Sequence, residues 1–463
     1  MFFRMFYDDD LAQASYLIGC PGSGEAIVVD GLRDIEQYLD AAALQKLKIV
    51  AAVDTHAHAD FVTAVPELAA RTGARAHYSA EGGPDWTPKW AAGFDAVALR
   101  DGDEIRLGGV SLVAHHTPGH TPEHLCFKVR SASAGEAMGV LTGDCVFVGD
   151  VGRPDLLEKV AGGLDTMRPA AAELHKSVNW LLGLDDHLQL WPGHGAGSAC
   201  GKDMAAVPQS TIGYERRFNT MLKSAASEGE FVENVLSGQP DPPSYFARMK
   251  RISIDGPPIL GSTPIPPLIA YDALPAGDVA DAVVVDLRPW PEFRSGHRPG
   301  SLSAPLDEIF TTSMGSMIRP EQRVFFIGNP PQSAEAARRL VRVGIDGFGG
   351  FVEPADLPAE LPGRIGEITS ADLIASPDAV VLDVRKLSEH DEGHRPGTPC
   401  IAHVQLIDRL DELPEGGPLH LICKTGRRSA RSAAFISRMT GREVVNVMGG
   451  FEGWKAAGGE IEK

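Results

Sequence analysis

The chain has 463 residues, 43% of them hydrophobic, and a formal net charge of -19. At roughly 150 residues per domain, that length suggests two to four domains with real cores rather than a disordered polypeptide. The charge argues against a nucleic-acid partner, whose phosphates need clustered Lys and Arg, and disfavours anionic membrane surfaces.

The chain opens MFFRMFYDDD, so Asp8, Asp9 and Asp10 fall where a signal peptide would need an unbroken apolar stretch. No run approaches the roughly 18 apolar residues of a membrane span. A cytoplasmic location is expected. The cysteines agree: Cys20, Cys126, Cys145, Cys200, Cys400 and Cys423 are scattered and lack CxxC spacing. They read as reduced thiols rather than as a disulfide framework or a zinc knuckle.

From residue 1 to about 236, apolar runs alternate with Gly- and Asp-rich turns. Residues 26–30, 49–54, 110–115 and 138–143 read as strands, and 61–72 and 167–182 as helices, an α/β pattern. A polar island follows the second of these strands, Thr55-His56-Ala57-His58-Ala59-Asp60. Further islands are Thr117-Pro118-Gly119-His120-Thr121, Thr142-Gly143-Asp144 and Pro192-Gly193-His194-Gly195. Imidazole and carboxylate behind strand ends suit a metal site at a sheet edge, with Zn, Fe, Mn or Ni as candidates. Isolated histidines such as His124 and His187 read instead as surface or core residues.

The order HxHxD, then His, Asp and His, resembles the motif of the metallo-β-lactamase superfamily, HxHxDH followed by His, Asp and His, across the whole N-terminal domain. The resemblance implies an αββα sandwich. In two-metal members the sixth motif position is a histidine; here it is Phe61, which cannot bind a metal, so one metal per chain is expected. One branch, the persulfide dioxygenases, holds a single iron with two His and one Asp. Carried over, the ligands are His56, His120 and Asp144, a face that leaves positions open for O₂ and substrate. His58, Asp60 and His194 then orient those ligands through hydrogen bonds. The alternative is zinc on His56, His58 and His120 with a nucleophilic water, as in thioester hydrolases of the glyoxalase II type. The runs FYDDDLAQASYLIG, GDVGRPD and PGHGAGSACGKDMAAVPQSTIGYE look like the dioxygenase branch, especially members fused to rhodanese domains. Within them Cys200 is a candidate catalytic thiol, against a buried loop cysteine. Arg153 is a candidate for steering an anionic substrate, against a loop brace.

A Pro-rich stretch from 237 to about 265 reads as a linker. Beyond it lies a repeat: DAVVVDLRPWPEFRSGHRPG from Asp281 and DAVVLDVRKLSEHDEGHRPG from Asp378, identical at 12 of 20 positions. Gly349-Gly350-Phe351 and Gly449-Gly450-Phe451 echo it. Two copies about a hundred residues apart imply two small parallel-sheet α/β domains. The expected domains are therefore 1–250 with its linker to about 265, 266–360 and 363–463.

In the second copy an apolar strand, 419–422, runs into Cys423-Lys424-Thr425-Gly426-Arg427-Arg428-Ser429 and a helical pattern over 430–439. A cysteine at a helix N-terminus meets backbone N–H groups and the positive dipole end, and Lys424, Arg427 and Arg428 add charge; all of this favours thiolate. The loop, with Asp383, Arg385 and Gly393-His394-Arg395-Pro396-Gly397, resembles the active loop of rhodanese sulfurtransferases. That resemblance implies Cys423 and Arg428 as catalytic and Lys424, Gly426 and Arg427 as substrate-binding. A phosphatase loop of the same shape is one residue longer. The first copy has Gly328-Asn329-Pro330-Pro331 at this place and no cysteine, hence an inactive rhodanese.

The expected activity is oxidation of a low-molecular-weight thiol persulfide with O₂ to sulfite and thiol on one Fe(II), with zinc as the alternative. It is coupled to a rhodanese step that makes or uses thiosulfate. The carrier thiol, whether glutathione, coenzyme A or another, stays open; a homo-oligomer is expected. The alternatives are the zinc thioesterase and a non-enzymatic sulfur carrier.

Overall fold

The computed structural model describes residues 1–160, 162–276 and 279–463. It divides into two compact units, Met1–Ser262 and Thr263–Lys463.

Two six-stranded sheets form the first unit. The strands Phe2–Asp8, Gln13–Cys20, Glu25–Val29, Lys48–Val53, Arg75–Ser79 and Ala96–Leu99 neighbour one another in chain order. The second sheet takes Glu104–Leu107, Val110–His116, Leu125–Ser131, Ala137–Gly143, Gln189–Pro192 and Ser210–Thr211, again in chain order. Alternate residues of both sheets face inward, as the two-residue strand period requires. Tyr16, Ile18, Ile27, Val29 and Val53 pack against Leu112, Leu125, Phe127, Leu141 and Trp191. The outer faces are covered by helices: Val65–Thr72 and Glu36–Leu44 on one side, Met167–Leu182 and Glu228–Leu236 on the other. This is the αββα sandwich.

The four polar islands leave the C-terminal ends of Lys48–Val53, Val110–His116, Ala137–Gly143 and Gln189–Pro192. The N-terminal hairpin reaches the last of them. The Tyr16 hydroxyl donates to the Pro192 carbonyl at 2.7 Å, and the Ala14 N–H donates to the Gly193 carbonyl at 2.8 Å.

Two expectations need correction. The helix expected over 61–72 begins only at Val65, with Pro66 in its first turn, where a missing N–H is tolerated. The stretch 237–265, expected as a linker, carries the helix Phe246–Asp255 with Phe246 and Met249 buried. The Tyr245 hydroxyl donates to the Asp60 carbonyl at 3.0 Å, and Trp90 Nε1 donates to the Ser253 carbonyl at 2.9 Å. Downstream, the buried Glu67 carboxylate accepts the N–H groups of Leu260 and Gly261 at 2.8 and 2.9 Å. Proline content suggested an unstructured tether, but apolar residues between the prolines dock this segment onto the first unit.

The second unit holds two four-stranded parallel sheets. One runs Leu302–Ser303, Ala282–Asp286, Arg323–Ile327, Phe348–Val352; the other runs Gly366–Thr369, Val444–Met448, Leu419–Ile422, Val380–Asp383. The repeated motif does the same work in each. Arg288 forks onto Asp286 and donates to the Gly296 carbonyl, as Arg385 forks onto Asp383 and donates to the Gly393 carbonyl, both carbonyl contacts at 2.9 Å. No helix among the described residues is long and apolar enough to cross a membrane.

Because Met249 of the docked segment is fully buried, Met249→Ala should destabilise the first unit by about 2–5 kcal/mol. Urea unfolding followed by fluorescence of Trp90 and its neighbours reads this. A shift indistinguishable from wild type would mean that the segment is not packed.

Candidate active sites

His56, His120 and Asp144 come together, their donor atoms all within 4.8 Å of one another and all three residues buried. His56 Nε2 and His120 Nε2 lie 3.8 and 3.5 Å from Asp144 Oδ2. The far sides of the rings are held. His120 Nδ1 is 2.9 Å from the Arg153 carbonyl, which only accepts, so Nδ1 carries the hydrogen. His56 Nδ1 is 2.9 Å from the Thr55 hydroxyl, which itself donates to Asp30 Oδ2 at 3.1 Å, so His56 Nδ1 also donates. Burial keeps both rings neutral, His56 well below its ordinary value and His120 down to about 4.

Two Nε2 lone pairs therefore face a carboxylate oxygen, and that oxygen is buried without a hydrogen-bond partner. Three converging electron-rich atoms with no proton between them repel unless a cation sits among them. Donors about 2.0–2.2 Å from one ion are themselves roughly 3.0–3.6 Å apart, close to what is seen here. The residues fit a metal.

The other Asp144 oxygen is satisfied. His194 Nδ1 is 2.8 Å from Asp144 Oδ1, and its Nε2 is 2.8 Å from Asp60 Oδ2. Burial pushes His194 down, but the two carboxylates override it and raise it well above its ordinary value. Gly193 is needed for this approach, since a Cβ there would sit 2.5 Å from Asp144 Oδ1. His58 is turned elsewhere and falls in a separate cluster with Asp30 and Asp54. Its Nε2 donates to Asp30 Oδ1 at 3.1 Å; burial lowers its pKa, yet the Asp30 bond and charge raise it to about 9. Phe61 is fully buried and stacks on His58, ring centroids 4.1 Å apart.

In the second unit, Cys423 directly follows the strand Leu419–Ile422 and opens the loop into the helix Arg427–Thr440. Its Sγ accepts the Gly426 N–H at 3.1 Å and lies 3.3 Å from the Ser429 hydroxyl. The Gly-Gly-Phe turn clamps the loop from behind. Phe451 N–H and Glu452 N–H donate to the carbonyls of Cys423 and Lys424 at 2.7 and 3.0 Å, and a Cβ on Gly450 would collide with the Cys423 carbonyl.

The sequence pattern of the metallo-beta-lactamase superfamily matches residues 8–194, and that of the rhodanese-like domain matches 370–457. A crystal structure of a metallo-beta-lactamase from Staphylococcus aureus superposes with a TM-score of 0.67 at 34% identity, covering 76% of this chain and 99% of that one. The chain belongs to the metallo-beta-lactamase superfamily. Among curated relatives, an uncharacterized protein of Mycobacterium tuberculosis is 41% identical over 125 residues, 27% of this chain and 46% of that protein. The chain thus spans about half the length of that relative. A hydroxyacylglutathione hydrolase of Polaromonas is 27% identical over 267 residues, 51% of this chain and 93% of that protein.

Within this metallo-beta-lactamase superfamily chain, several expected roles change. Arg153 does not face substrate. It is fully buried, forks onto Asp155 with both contacts at 2.7 Å, and donates to the carbonyls of Ala199 and Pro240. It braces the loop whose carbonyl holds His120. Cys200 clusters with Asp60 and His194 rather than with His56, His120 and Asp144. Burial, then the charges of Asp144 and Asp60, push its thiol well above the ordinary value, so it stays protonated. On the cysteine loop Lys424 is exposed, whereas Arg428 forks onto Glu389 at 2.6 and 2.8 Å and Arg427 pairs with Glu308 at 2.6 Å. Burial raises the Glu389 carboxyl, but Arg428 overrides it and lowers it to about 2. The positive charge expected on the loop is thus largely paired.

Two residues that hold the metal cluster were not foreseen. His124 is fully buried; its Nε2 accepts the Asp144 N–H at 3.1 Å and its ring stacks on His56. Asp30 accepts the Thr55 N–H at 2.6 Å and also receives His58. The signal for His124 was its place four residues after His120; Asp30 offered none beyond ending a strand.

His403 in the second unit is buried with both ring nitrogens unpartnered. Burial, then the charges of Arg428, Arg431 and Lys386, lower its pKa from 6.5 to about 3. Unfolded, this ring takes a proton near pH 6.5; folded, it stays neutral to about pH 3. The unfolded chain binds more protons in that window, so stability falls as pH drops through it, by up to about 1.4 kcal/mol per pH unit. His403→Leu should flatten that slope between pH 6.5 and 4.5 while leaving stability at pH 8 little changed. An unchanged slope in urea titrations would mean that His403 is not the group responsible.

Proposed function

We propose that the first unit is a mononuclear non-haem iron persulfide dioxygenase and that Cys423 carries the sulfur of a coupled rhodanese step. The overall first reaction is R–S–SH + O₂ + H₂O → R–SH + SO₃²⁻ + 2H⁺. Cys423 then exchanges a sulfane sulfur with sulfite, giving or using thiosulfate.

One observation carries the reading: the carboxylate Asp144, rather than His58, shares a cluster with His56 and His120. Two imidazoles and one carboxylate on one face are the ligands of oxygen-using Fe(II) sites. Bound there, Fe(II) would supply the redox chemistry that joins O₂ to a soft sulfur. His120 and His56 present neutral Nε2 lone pairs because their Nδ1 hydrogens are held by Arg153 and Thr55. His194, kept as an imidazolium by Asp60 and Asp144, fixes the Asp144 carboxylate and holds one oxygen back. Phe61 denies a second metal its histidine. Leu156, Leu157 and Phe246, with Lys250, line a cavity that reaches His120, a largely apolar approach for a thiol carrier. The Gly426 N–H and the Ser429 hydroxyl cradle sulfur on Cys423. One chain bearing both sites raises the local concentration of the shared intermediate.

A second reading is favoured by one finding, the match over 93% of the length of a hydroxyacylglutathione hydrolase. It makes the first unit a zinc thioesterase, with the unpartnered His58 Nδ1 as the third donor.

Metal analysis after anaerobic purification should give about one iron per chain and O₂ uptake with a persulfide. Stoichiometric zinc with thioester turnover would favour the second reading. Asp144→Ala should lower O₂ uptake by at least about 10²-fold, since it removes one of three ligands. Cys423→Ser should abolish thiosulfate exchange and leave O₂ uptake on a small persulfide near wild type. If uptake falls equally, the two sites are not separate.

A further inference from the structure

The copy without a cysteine touches the sulfur site through a continuous chain of hydrogen bonds. Trp290 Nε1, from the inactive copy, donates to Glu367 Oε1 at 2.6 Å. Arg294 of the same copy lies 3.2 Å from Glu367 Oε2. Glu367 lies in the edge strand Gly366–Thr369 of the active copy and also accepts Asn446 Nδ2 at 3.1 Å. Asn446 is buried, and its Oδ1 lies 2.7 Å from the Ser429 hydroxyl, which is 3.3 Å from Cys423 Sγ.

The direction of each bond follows from the donor inventory. An ionised carboxylate only accepts, so Glu367 forces the Asn446 amide to turn its NH₂ outward and its carbonyl toward Ser429. Ser429 has one hydrogen and two acceptors in reach. With the sulfur neutral, the shorter bond to Asn446 holds it and pins the rotamer. When the sulfur carries charge, it becomes the stronger acceptor and the hydrogen turns to it without the oxygen moving. A serine free to rotate would have to find that position each time, at an entropic penalty.

We propose that the inactive copy is a positioning element of the sulfur site, with Trp290 and Arg294 holding Glu367 and, through Asn446, keeping the Ser429 oxygen seated where its hydrogen can turn to the Cys423 sulfur. The inference rests on Cys423 being the sulfur carrier. It also gives the copy without a cysteine a task beyond spacing. The acids Asp307 and Glu308 of the inactive copy, paired with Arg431 and Arg427, hold the same helix start from the other side.

The test is a double-mutant cycle on the full chain. Two rates are measured: sulfur transfer from thiosulfate to cyanide, and alkylation of Cys423 by iodoacetamide followed by peptide mass spectrometry. Trp290→Phe should slow both by about three- to tenfold, the worth of one hydrogen bond. In a Ser429→Ala background the same change should slow neither, because the chain then ends before the sulfur. Glu367→Gln, which keeps an acceptor for Trp290 and Asn446, should retain most of the rate that Glu367→Leu loses. Equal slowing with and without Ser429 would overturn the proposal, as would no slowing at all. If wild type transfers no sulfur, the rhodanese reading fails, and the alkylation cycle still decides the positioning role.

Discussion

A carboxylate with no access to water organises the first unit. Burying an ionised group is costly unless it is paired, and the penalty falls on each oxygen separately. One oxygen of Asp144 rests on His194, and His194 rests in turn on Asp60. The other faces two imidazole nitrogens that carry no hydrogen toward it. Four strand ends must converge for this to happen, and each brings a residue that is meaningless alone. The N-terminal hairpin sets the last strand end, His124 sets the backbone of Asp144, and Arg153 sets the carbonyl behind His120. Much of the buried polar machinery of the domain therefore serves one charge.

The second unit solves a related problem for sulfur. A loop of N–H groups at a helix start suits an anionic atom, and Gly426 and Ser429 supply the nearest contacts to Cys423. The surrounding cations would reinforce that local preference, but Arg427 and Arg428 are each tied to a glutamate. Both copies keep the Asp–Arg fork that closes the strand onto the following helix. Only one keeps the cysteine, and the other supplies side chains to the first one's surroundings.

Much of this was legible in the residue order. The HxHxD run, the later His, Asp and His, and the CxxGxR loop are local patterns whose chemistry depends on residue type and spacing. So is the repeat, and so are strands such as 110–115 and the helix 167–182, where periodicity is strong. The segment 237–265 was misread because proline content is a local cue, whereas the docking of Tyr245, Phe246 and Met249 depends on what lies across from them. Arg153 left two readings open, an anion contact and a loop brace, and the fold selects the brace. An arginine shortly after a candidate metal ligand suggests an anion, but its partners Asp155, Ala199 and Pro240 are a property of the fold.

The sequence by itself determined which donor types exist, how many strand ends carry them, that Phe61 replaces a histidine, and that one of two repeats lacks its cysteine. These are statements about identity and spacing along a line. Only the tertiary structure decided which donors share a cluster, that His58 turns to Asp30 and that Cys200 stays protonated beside Asp60. It also decided that Trp290 of one copy reaches Glu367 of the other. Those outcomes depend on distances of a few ångströms between residues far apart in the chain, and on burial that changes which charges can exist there.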